Sequence, residues 1–381
     1  MNAAQQMFRV GISGSYGGLN LGDEAILQSI ITQLRRTLPV EITVFSRNPE
    51  DTLARHRVER AVPARRLSRS EAQAEVERLD LLIVGGGGIL FDAEAKVFLR
   101  EALLAHERQV PVMVYAVGAG PLRDPAAQQA VREALIPAAV VTVRELRARA
   151  VLEEAGVHRE MRLTADPAFL LEPEALPEGA LEREGLEPQR RYIGMSVREP
   201  GVAAPDISEE HYQGLLANAA DYMVDRFDAD VVLVPMEPGM KDTQQCHAVV
   251  ARMLRAQRAT VLKGSYTSAQ MLTLMGRFDM AVGMRLHFLI FAALQGVPFV
   301  ALPYASKVEG FLEEMQIEMP PLELVNAGRL LAHIDQSWDR RRSLQTRIRR
   351  SLPALQRRAL ESNALATRLL SARLVRAPTG I

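Results

Sequence analysis

Short apolar runs alternate with longer segments of helical periodicity along most of the chain, a pattern typical of parallel β-α-β units. In the helix predicted after the first strand, Ile26, Ile30, Ile31 and Leu34 recur at the spacing of one helical face. The strands predicted in the first half cover residues 8–12, 41–45, 79–84, 112–117, 140–143 and 161–163. The first half therefore predicts an α/β domain with a doubly wound parallel sheet.

The alternation stops between residues 171 and 190, where Pro, Glu and Gly replace the periodic pattern and predict a linker. It restarts with strands predicted at residues 192–197, 231–235, 260–262, 279–282 and 299–302. After residue 330 the pattern is helical, and Pro353 is predicted to open a new helix behind a Ser351 cap. We thus expect two Rossmann-like doubly wound domains facing a cleft, a GT-B-like α/β fold with C-terminal helices. Its predicted domains are residues 1–172, 190–338 and a basic helical tail, 339–381.

The composition argues against several classes of protein. The 46 basic and 46 acidic residues cancel, which argues against a general nucleic-acid binder. The lone cysteine, Cys246, excludes an intrachain disulfide framework and fits a core thiol in a reducing compartment. No apolar run approaches the roughly 20 residues of a membrane span, so we expect a cytoplasmic protein.

Glycine-rich segments follow three of the predicted strands. The first contains Gly17, Asn20 and Asp23, the second is Gly85 to Gly88, and the third is Gly118-Ala119-Gly120-Pro121. Bare backbone at the carboxyl edge of a parallel sheet suits an anion or a sugar. The dinucleotide and P-loop glycine patterns are both absent. For the first segment a simple tight turn is an equally good interpretation.

Basic residues also follow predicted strands. Arg144, Arg198 and Lys307 each lie at or just past a strand end, and Arg285 and His287 open an apolar helix. Cations oppose the dipole at a helix N-terminus, so an anion held by the side chains and the free N–H groups would explain them. Alternatively, Arg285 pairs with a carboxylate and His287 is a core histidine. No histidine, cysteine or carboxylate cluster has metal-ligand spacing, so we expect no metal.

Taken together, these motifs resemble the polysaccharide pyruvyl transferase family. The resemblance covers roughly residues 8–316 and depends on segments in a fixed order. They are Gly22-Asp23-Glu24, Gly85 to Gly88, Gly118 to Pro121, Thr142-Val143-Arg144-Glu145, Thr164-Ala165-Asp166-Pro167, Gly283-Met284-Arg285-Leu286-His287 and Tyr304 to Lys307. The resemblance implies a GT-B-like fold and transfer of a pyruvyl group from phosphoenolpyruvate to two sugar hydroxyls, with release of phosphate. It implies no cofactor besides this co-substrate.

The resemblance also implies roles for single residues. His287 would be the general acid beside Arg285, and Arg144, Arg198 and Lys307 would bind the anion. The residues facing a glycan or lipid-linked sugar acceptor would be Gly17, Asn20, Asp23, Gly86, Gly87 and Gly88. Asp166 is interpreted as a helix or turn cap. The family pattern has a polar residue after the third glycine of the second segment, where this chain has Gly88-Ile89-Leu90-Phe91-Asp92, and this departure concerns the acceptor. A nucleotide-sugar glycosyltransferase of the same fold and a non-catalytic anion or glycan sensor are the alternatives.

The C-terminal segment is strongly basic. Between Arg340 and Arg376 it contains eleven arginines and one acidic residue, Glu361. Leucine and isoleucine side chains at positions 344, 348, 352 and 355 share one helical face. Such a helix either packs across the domains with solvated arginines, the interpretation we favour, or lies on the inner face of an anionic membrane.

Overall fold

The computed structural model describes residues 7–199, 208–239, 241–302, 306–317 and 326–376. Within these residues the chain divides into two compact units. Unit 1 contains residues up to 18, residues 23–171 and the chain from 354 onward, and unit 2 contains residues 19–22 and 172–353. The unit boundary after residue 171 falls at the start of the predicted linker, whereas the last residues belong to unit 1 rather than to a tail of their own.

Unit 1 is a parallel α/β unit. Its strands in the described chain are β1 (Phe8–Ser13), β2 (Val40–Ser46), β3 (Arg60–Pro63), β4 (Leu81–Leu90), β5 (Val112–Ala119), β6 (Val140–Val143) and β7 (Arg162–Leu163). Its helices there are α1 (Leu21–Thr37), α2 (Pro49–Arg55), α3 (Arg69–Glu77), α4 (Ala95–Phe98), α5 (Arg100–Glu107), α6 (Pro125–Leu135) and α7 (Leu146–Glu154). The strand order is β3-β2-β1-β4-β5-β6-β7, with every pair parallel.

Unit 2 repeats the design on a smaller scale. Its strands in the described chain are β8 (Tyr192–Ser196), β9 (Asp230–Leu233), β10 (Ala259–Val261), β11 (Met280–Gly283) and β12 (Phe299–Ala301), ordered β10-β9-β8-β11-β12. The helices are α8 (Ala180–Arg183), α9 (Glu209–Phe227), α10 (Lys241–Val250), α11 (Ser268–Met275), α12 (Leu286–Leu294), α13 (Ser306–Met315) and α14 (Ala327–Asp339). Helix α15 (Arg341–Arg376) begins in this unit and continues into unit 1.

The predicted strands are confirmed. Apolar runs such as residues 231–233 of β9 and the whole of β11 are buried, as expected for strands covered on both faces of a parallel sheet. The face of α1 formed by Ile26, Ile30, Ile31 and Leu34 is buried as predicted. The sequence analysis missed strand β3, whose four residues carry too little alternation to be recognised. Cys246 is buried, and burial raises the pKa of its thiol above the usual range.

Two local predictions are wrong. Gly85 to Gly88 do not follow the strand as predicted, because β4 continues through them and pairs with β5 up to Leu90. Pro353 does not open a helix, because it lies inside the continuous helix α15.

In each sheet the strand order reverses beside the first strand of the unit. The reversal lies between β1 and β4 in unit 1 and between β8 and β11 in unit 2. In open α/β sheets, ligands bind at the carboxyl ends of the strands next to such a reversal. No helix among the described residues is long and apolar enough to span a membrane.

Candidate functional site

The segment with Arg285 and His287 lies at the strand reversal of unit 2. Strand β11 ends at Gly283 and α12 begins at Leu286, so Arg285 is the N-cap residue and His287 lies in the first turn, as predicted. The apolar side chains of α12, including Phe288 and Phe291, are buried. Burial of the helix body therefore holds its N-terminus in a fixed position at the edge of the sheet.

The guanidinium of Arg285 lies between two carboxylates. Its Nε donates to Asp242 Oδ2 at 3.0 Å, and its Nη2 donates to Asp242 Oδ1 and, at 3.1 Å, to Glu237 Oε2. The backbone N–H of Glu237 also donates to Asp242 Oδ2, at 3.2 Å. Arg285 therefore pairs with carboxylates, as the alternative interpretation predicted. These bonds hold the guanidinium in one orientation.

Asp242 is 2% exposed, and its surroundings shift the pKa of its carboxyl. Burial raises the pKa of this carboxyl, the nearby Arg285 opposes that rise, Glu237 adds to it and Arg198 opposes it. Arg198, of the same unit, therefore influences the same carboxyl as Arg285. The side chain of Lys307 lies outside the described residues.

Residues 19–22, from the first glycine-rich segment, belong to the same unit. The N–H of Leu21 donates to the carbonyl of Met236 at 2.9 Å, and its carbonyl accepts from Ser268 Oγ at 2.7 Å. Asn20 accepts from the N–H of Gly22 at 3.0 Å and donates to Glu237 Oε2 at 3.4 Å. Asn20 and Arg285 thus share one carboxylate, so the structure brings these two predicted site residues together.

Gly22 and His287 are in direct contact. A Cβ atom placed on Gly22 would overlap the imidazole of His287 at Nδ1 and Cγ. The ring consequently packs directly against the bare backbone of Gly22, and any larger residue there would displace it. The Gly-Asp-Glu and Arg-Leu-His motifs, far apart in sequence, meet at this contact.

In unit 1, buried hydrogen bonds hold the segment around Gly17 in place. The N–H of Gly17, which has a φ of +73°, donates to Glu24 Oε1 at 2.8 Å. The other oxygen of Glu24 lies 2.8 Å from His56 Nε2, and both side chains are buried. The hydroxyl of Tyr16 donates to the carbonyl of Gly85. This network explains the positive φ of Gly17 and links the segment to β4.

The glycines of β4 make room for neighbouring side chains. Gly86 and Gly87 have φ values of +77° and +86°. A Cβ on Gly86 would overlap Ile26, and one on Gly87 would lie 3.4 Å from Asp23 Oδ1. A Cβ on Gly88 would lie 3.6 Å from Arg144 Nη2. Close packing against Ile26 therefore accounts for the bare backbone at Gly86, whereas the contacts at Gly87 and Gly88 are ordinary ones and place Asp23 against Gly87.

Arg144 is 4% exposed and paired twice. Its Nη1 donates to Asp166 Oδ2 at 2.7 Å, and its Nε donates to Glu145 Oε2 at 2.9 Å. Burial disfavours the charged guanidinium, but Glu145 and Asp166 outweigh it and raise the pKa of Arg144 above its usual value. Asp166 also accepts from the N–H of Ala168 at 3.0 Å, so it is a cap as predicted and an ion-pair partner besides.

Sequence reasoning missed the two carboxylates that orient Arg285, Glu237 and Asp242. Glu237 follows β9, and its place near a strand end was a usable signal that attention to basic residues alone overlooked. Asp242 lies in the first turn of α10, and nothing local marks it as a partner of Arg285. The buried pair of Glu24 and His56 was missed for the same reason. In the part of the chain that the structure describes, no group of three potential ligands is placed to hold a metal ion.

The two parallel α/β units define a GT-B-like fold, and the similar solved structures agree. UDP-GlcNAc 2-epimerase from Neisseria meningitidis bound to UDP-GlcNAc matches with a TM-score of 0.64 at 9% identity, over 96% of this chain and 100% of that chain. HepE of Anabaena in complex with UDP and glucose matches with a TM-score of 0.63 at 16% identity, over 96% and 100%. ADP-heptose lps heptosyltransferase II of E. coli matches with a TM-score of 0.50 at 18% identity, over 88% and 100%.

These similarities show the fold alone. The family model for polysaccharide pyruvyl transferase matches residues 20–306, from Asn20 in the first glycine-rich segment to the start of α13. The chain belongs to this family. No curated protein matches it.

Proposed function

We propose that the protein transfers a pyruvyl group from phosphoenolpyruvate to two hydroxyls of a glycan or lipid-linked sugar, forming a cyclic ketal and releasing phosphate. Family membership supports pyruvyl transfer to a polysaccharide. The contact between His287 and Gly22, beside the oriented Arg285, is the observation that carries the proposed chemistry. It holds one imidazole in a fixed pose next to a fixed guanidinium.

The proposed reaction assigns the proton to this imidazole. One sugar hydroxyl adds to C2 of phosphoenolpyruvate while His287, as the imidazolium, donates a proton to C3, which becomes the methyl group. The second hydroxyl then displaces phosphate from C2, closing the ketal ring. Of the two hydroxyl protons, one returns to the imidazole and the other leaves with phosphate. The products are the ketal and inorganic phosphate, without an oxidant or reductant.

Cations in the same unit support binding of the three-carbon anion. Arg285 offers an oriented guanidinium, and Arg198 acts on the same carboxyl. We assign Arg144 and Lys307 to the substrate as well, with Asn20, Asp23, Gly17 and Gly86 to Gly88 on the acceptor side.

Phosphate release from phosphoenolpyruvate, measured with and without sugar acceptors, tests the proposal. We expect release that depends on the acceptor and a kcat at least about 100-fold lower for His287→Ala, because general acid catalysis typically contributes that much. His211→Ala is the control, since His211 is exposed on α9 in the same unit.

Three outcomes would contradict the proposal: full activity in His287→Ala, an equal loss in the control, or no release with any acceptor. Sugar transfer from a nucleotide donor in place of phosphate release would instead identify a glycosyltransferase.

A further inference from the structure

Unit 1 contains a cavity of about 460 Å³ at the strand reversal of its sheet. Ser13 and Gly14 at the end of β1, Arg47 after β2 and Arg65 after β3 contribute to its lining. Lys96 of α4, the helix that follows β4, completes this part of the wall. Its position at the carboxyl ends of strands and its volume are both typical of ligand sites in open α/β sheets.

The charged residues of the lining are predominantly cationic. Arg47, Arg65, Lys96 and Arg100 contribute four positive charges, against one carboxylate, that of Glu101. Glu101 is 2% exposed and accepts from Ser13 Oγ at 3.2 Å and from Arg100 Nε at 2.9 Å. Because this carboxylate is already bonded to Ser13 and Arg100, it does not pair with Arg47, Arg65 or Lys96.

Arg100 has a structural role. Besides Glu101, it donates to the carbonyl of Leu67 at 3.1 Å and to the carbonyl of Ala64. These bonds fix the chain that follows β3 against α5. Its donors are thus occupied, and the cations that remain for a ligand are Arg47, Arg65 and Lys96.

Arg47 is the most informative of the three. Its Nη2 donates to Ser15 Oγ at 3.1 Å and to the Ser15 carbonyl at 3.3 Å. Within the described chain, its Nε has no hydrogen-bond acceptor, and no carboxylate pairs with it. A guanidinium that is half-buried without a counter-ion is unfavourable, so a bound anion would stabilise this site.

Arg65 and Lys96 have partners that an anion can replace. Arg65 pairs with Glu94 at 3.0 Å, and their side chains are 43% and 38% exposed. Lys96 lies 3.9 Å from Asp124, with side chains 56% and 45% exposed. Exposed ion pairs contribute little to stability, so exchanging these carboxylates for a ligand phosphate costs little.

We propose that this cavity binds the phosphate or diphosphate group of a phosphorylated sugar acceptor. The assignment to an acceptor rests on the proposed function, whereas anion binding follows from the charge and shape of the cavity alone. Two of the three cations follow separate strands and the third lies on a helix, so they can bind different oxygens of such a group. The acceptor is accordingly a sugar phosphate or diphosphate, carried either on a nucleotide or on a lipid.

Equilibrium binding to the full chain tests the anion site without turnover. The probes are inorganic diphosphate, UDP-glucose and a short-chain prenyl diphosphoglucose. We expect Arg47→Gln to weaken binding about tenfold, because a hydrogen bond to a charged group typically has that effect, and Lys96→Gln to weaken it about threefold. Arg47→Lys, which keeps the charge, retains part of the affinity. Arg69→Gln is the matched control, since Arg69 is exposed and pairs with Glu107 outside the lining.

Steady-state kinetics then test the link to the acceptor. We expect Arg47→Gln to raise the KM for a phosphorylated acceptor about tenfold and to leave the KM for phosphoenolpyruvate unchanged. A stronger effect with UDP-glucose identifies a nucleotide-linked acceptor, and a stronger effect with the prenyl compound identifies a lipid-linked one.

The inference is overturned if no diphosphate probe binds, or if Arg47→Gln binds as tightly as Arg69→Gln. It is also overturned if an unphosphorylated sugar is pyruvylated as efficiently as its phosphate. Arg47-dependent binding without any consumption of phosphoenolpyruvate would contradict the proposed function while leaving the anion site in place.

Discussion

Arg285 and Arg144 each hold two carboxylates, and this arrangement governs what their side chains can do. Arg285 lies between Asp242 and Glu237, and Arg144 between Glu145 and Asp166. Such pairs fix the direction of the guanidinium, so little side-chain entropy is lost when it engages a ligand. They also make the arginines structurally important, since removing one would leave a buried carboxylate, Asp242 or Asp166, without its cation.

The contact between Gly22 and His287 gives a test at the residue scale that leaves the imidazole in place. In Gly22→Ala the new methyl group overlaps the ring, so the ring must shift. A displacement of about 1 Å at a reacting group lowers rates on the order of 100-fold, and we expect a fall of that size in kcat. The measurement is steady-state phosphate release, with the unfolding midpoint recorded to show that the variant is folded.

Gly214→Ala is the matched control for this substitution. Gly214 lies within α9 of the same unit, and no heavy atom would come within 4 Å of its new Cβ. Alanine favours a helix interior over glycine by about 1 kcal/mol, so this control keeps its activity and gains slight stability. Unchanged kcat in Gly22→Ala would show that the position of the imidazole does not matter for turnover.

At the scale of elements, strand β4 combines regular pairing with an unusual backbone. It stays paired with β5 through Gly87 and Gly88, although φ is positive at Gly85, Gly86 and Gly87. Only glycine adopts such angles without strain, and only bare backbone leaves room for Ile26 beneath the strand. The glycines are thus a packing requirement of the sheet, and they also line the edge where Asp23 lies.

A pair of substitutions in β4 separates backbone strain from the mere addition of a methyl group. We expect Gly86→Ala to lower the free energy of unfolding by at least about 2 kcal/mol, because it combines a positive φ with overlap against Ile26. Gly88→Ala should lower the free energy of unfolding much less, since its Cβ would make an ordinary contact of 3.6 Å with Arg144 Nη2. Urea unfolding followed by circular dichroism measures both, and equal losses would refute the explanation.

At the scale of the whole molecule, unit 1 is built from both ends of the chain. Residues of α15 from Ala354 onward belong to it, and Leu355, Ala359, Ala366 and Leu370 are buried. Arg358 Nε donates to the carbonyl of Thr164 at 3.1 Å, and Ser362 Oγ donates to Thr164 Oγ1 at 3.0 Å. Of the apolar stripe, Ile348 and Leu355 are buried, whereas Leu344 and Leu352 are partly buried.

Truncation tests this contribution. A chain ending at Pro353 loses the buried leucines, each worth about 1.5–3 kcal/mol, so we expect its thermal midpoint to fall by more than about 10 °C. A chain ending at Arg376, which keeps all of α15, is the control and should unfold like the full chain. An unaltered midpoint in the shorter chain would show that the C-terminal segment is dispensable for folding.

The sequence determined the secondary structure and the edges of the sheets, because these depend on local periodicity. Runs of apolar residues predicted all strands except β3, and glycine or basic residues after them marked the two strand reversals. Arg47 follows β2 in the same way, and the sequence analysis missed it because the predicted strand stopped one residue early.

Tertiary structure decided the partners. Contacts such as Gly22 with His287, Asp242 with Arg285, and Ser362 with Thr164 join residues that are distant in sequence. Local propensity carries no information about such pairs, because their separation along the chain is closed only when strands and helices pack. For the same reason, the sequence alone showed neither the carboxylates that hold Arg285 nor the cationic cavity.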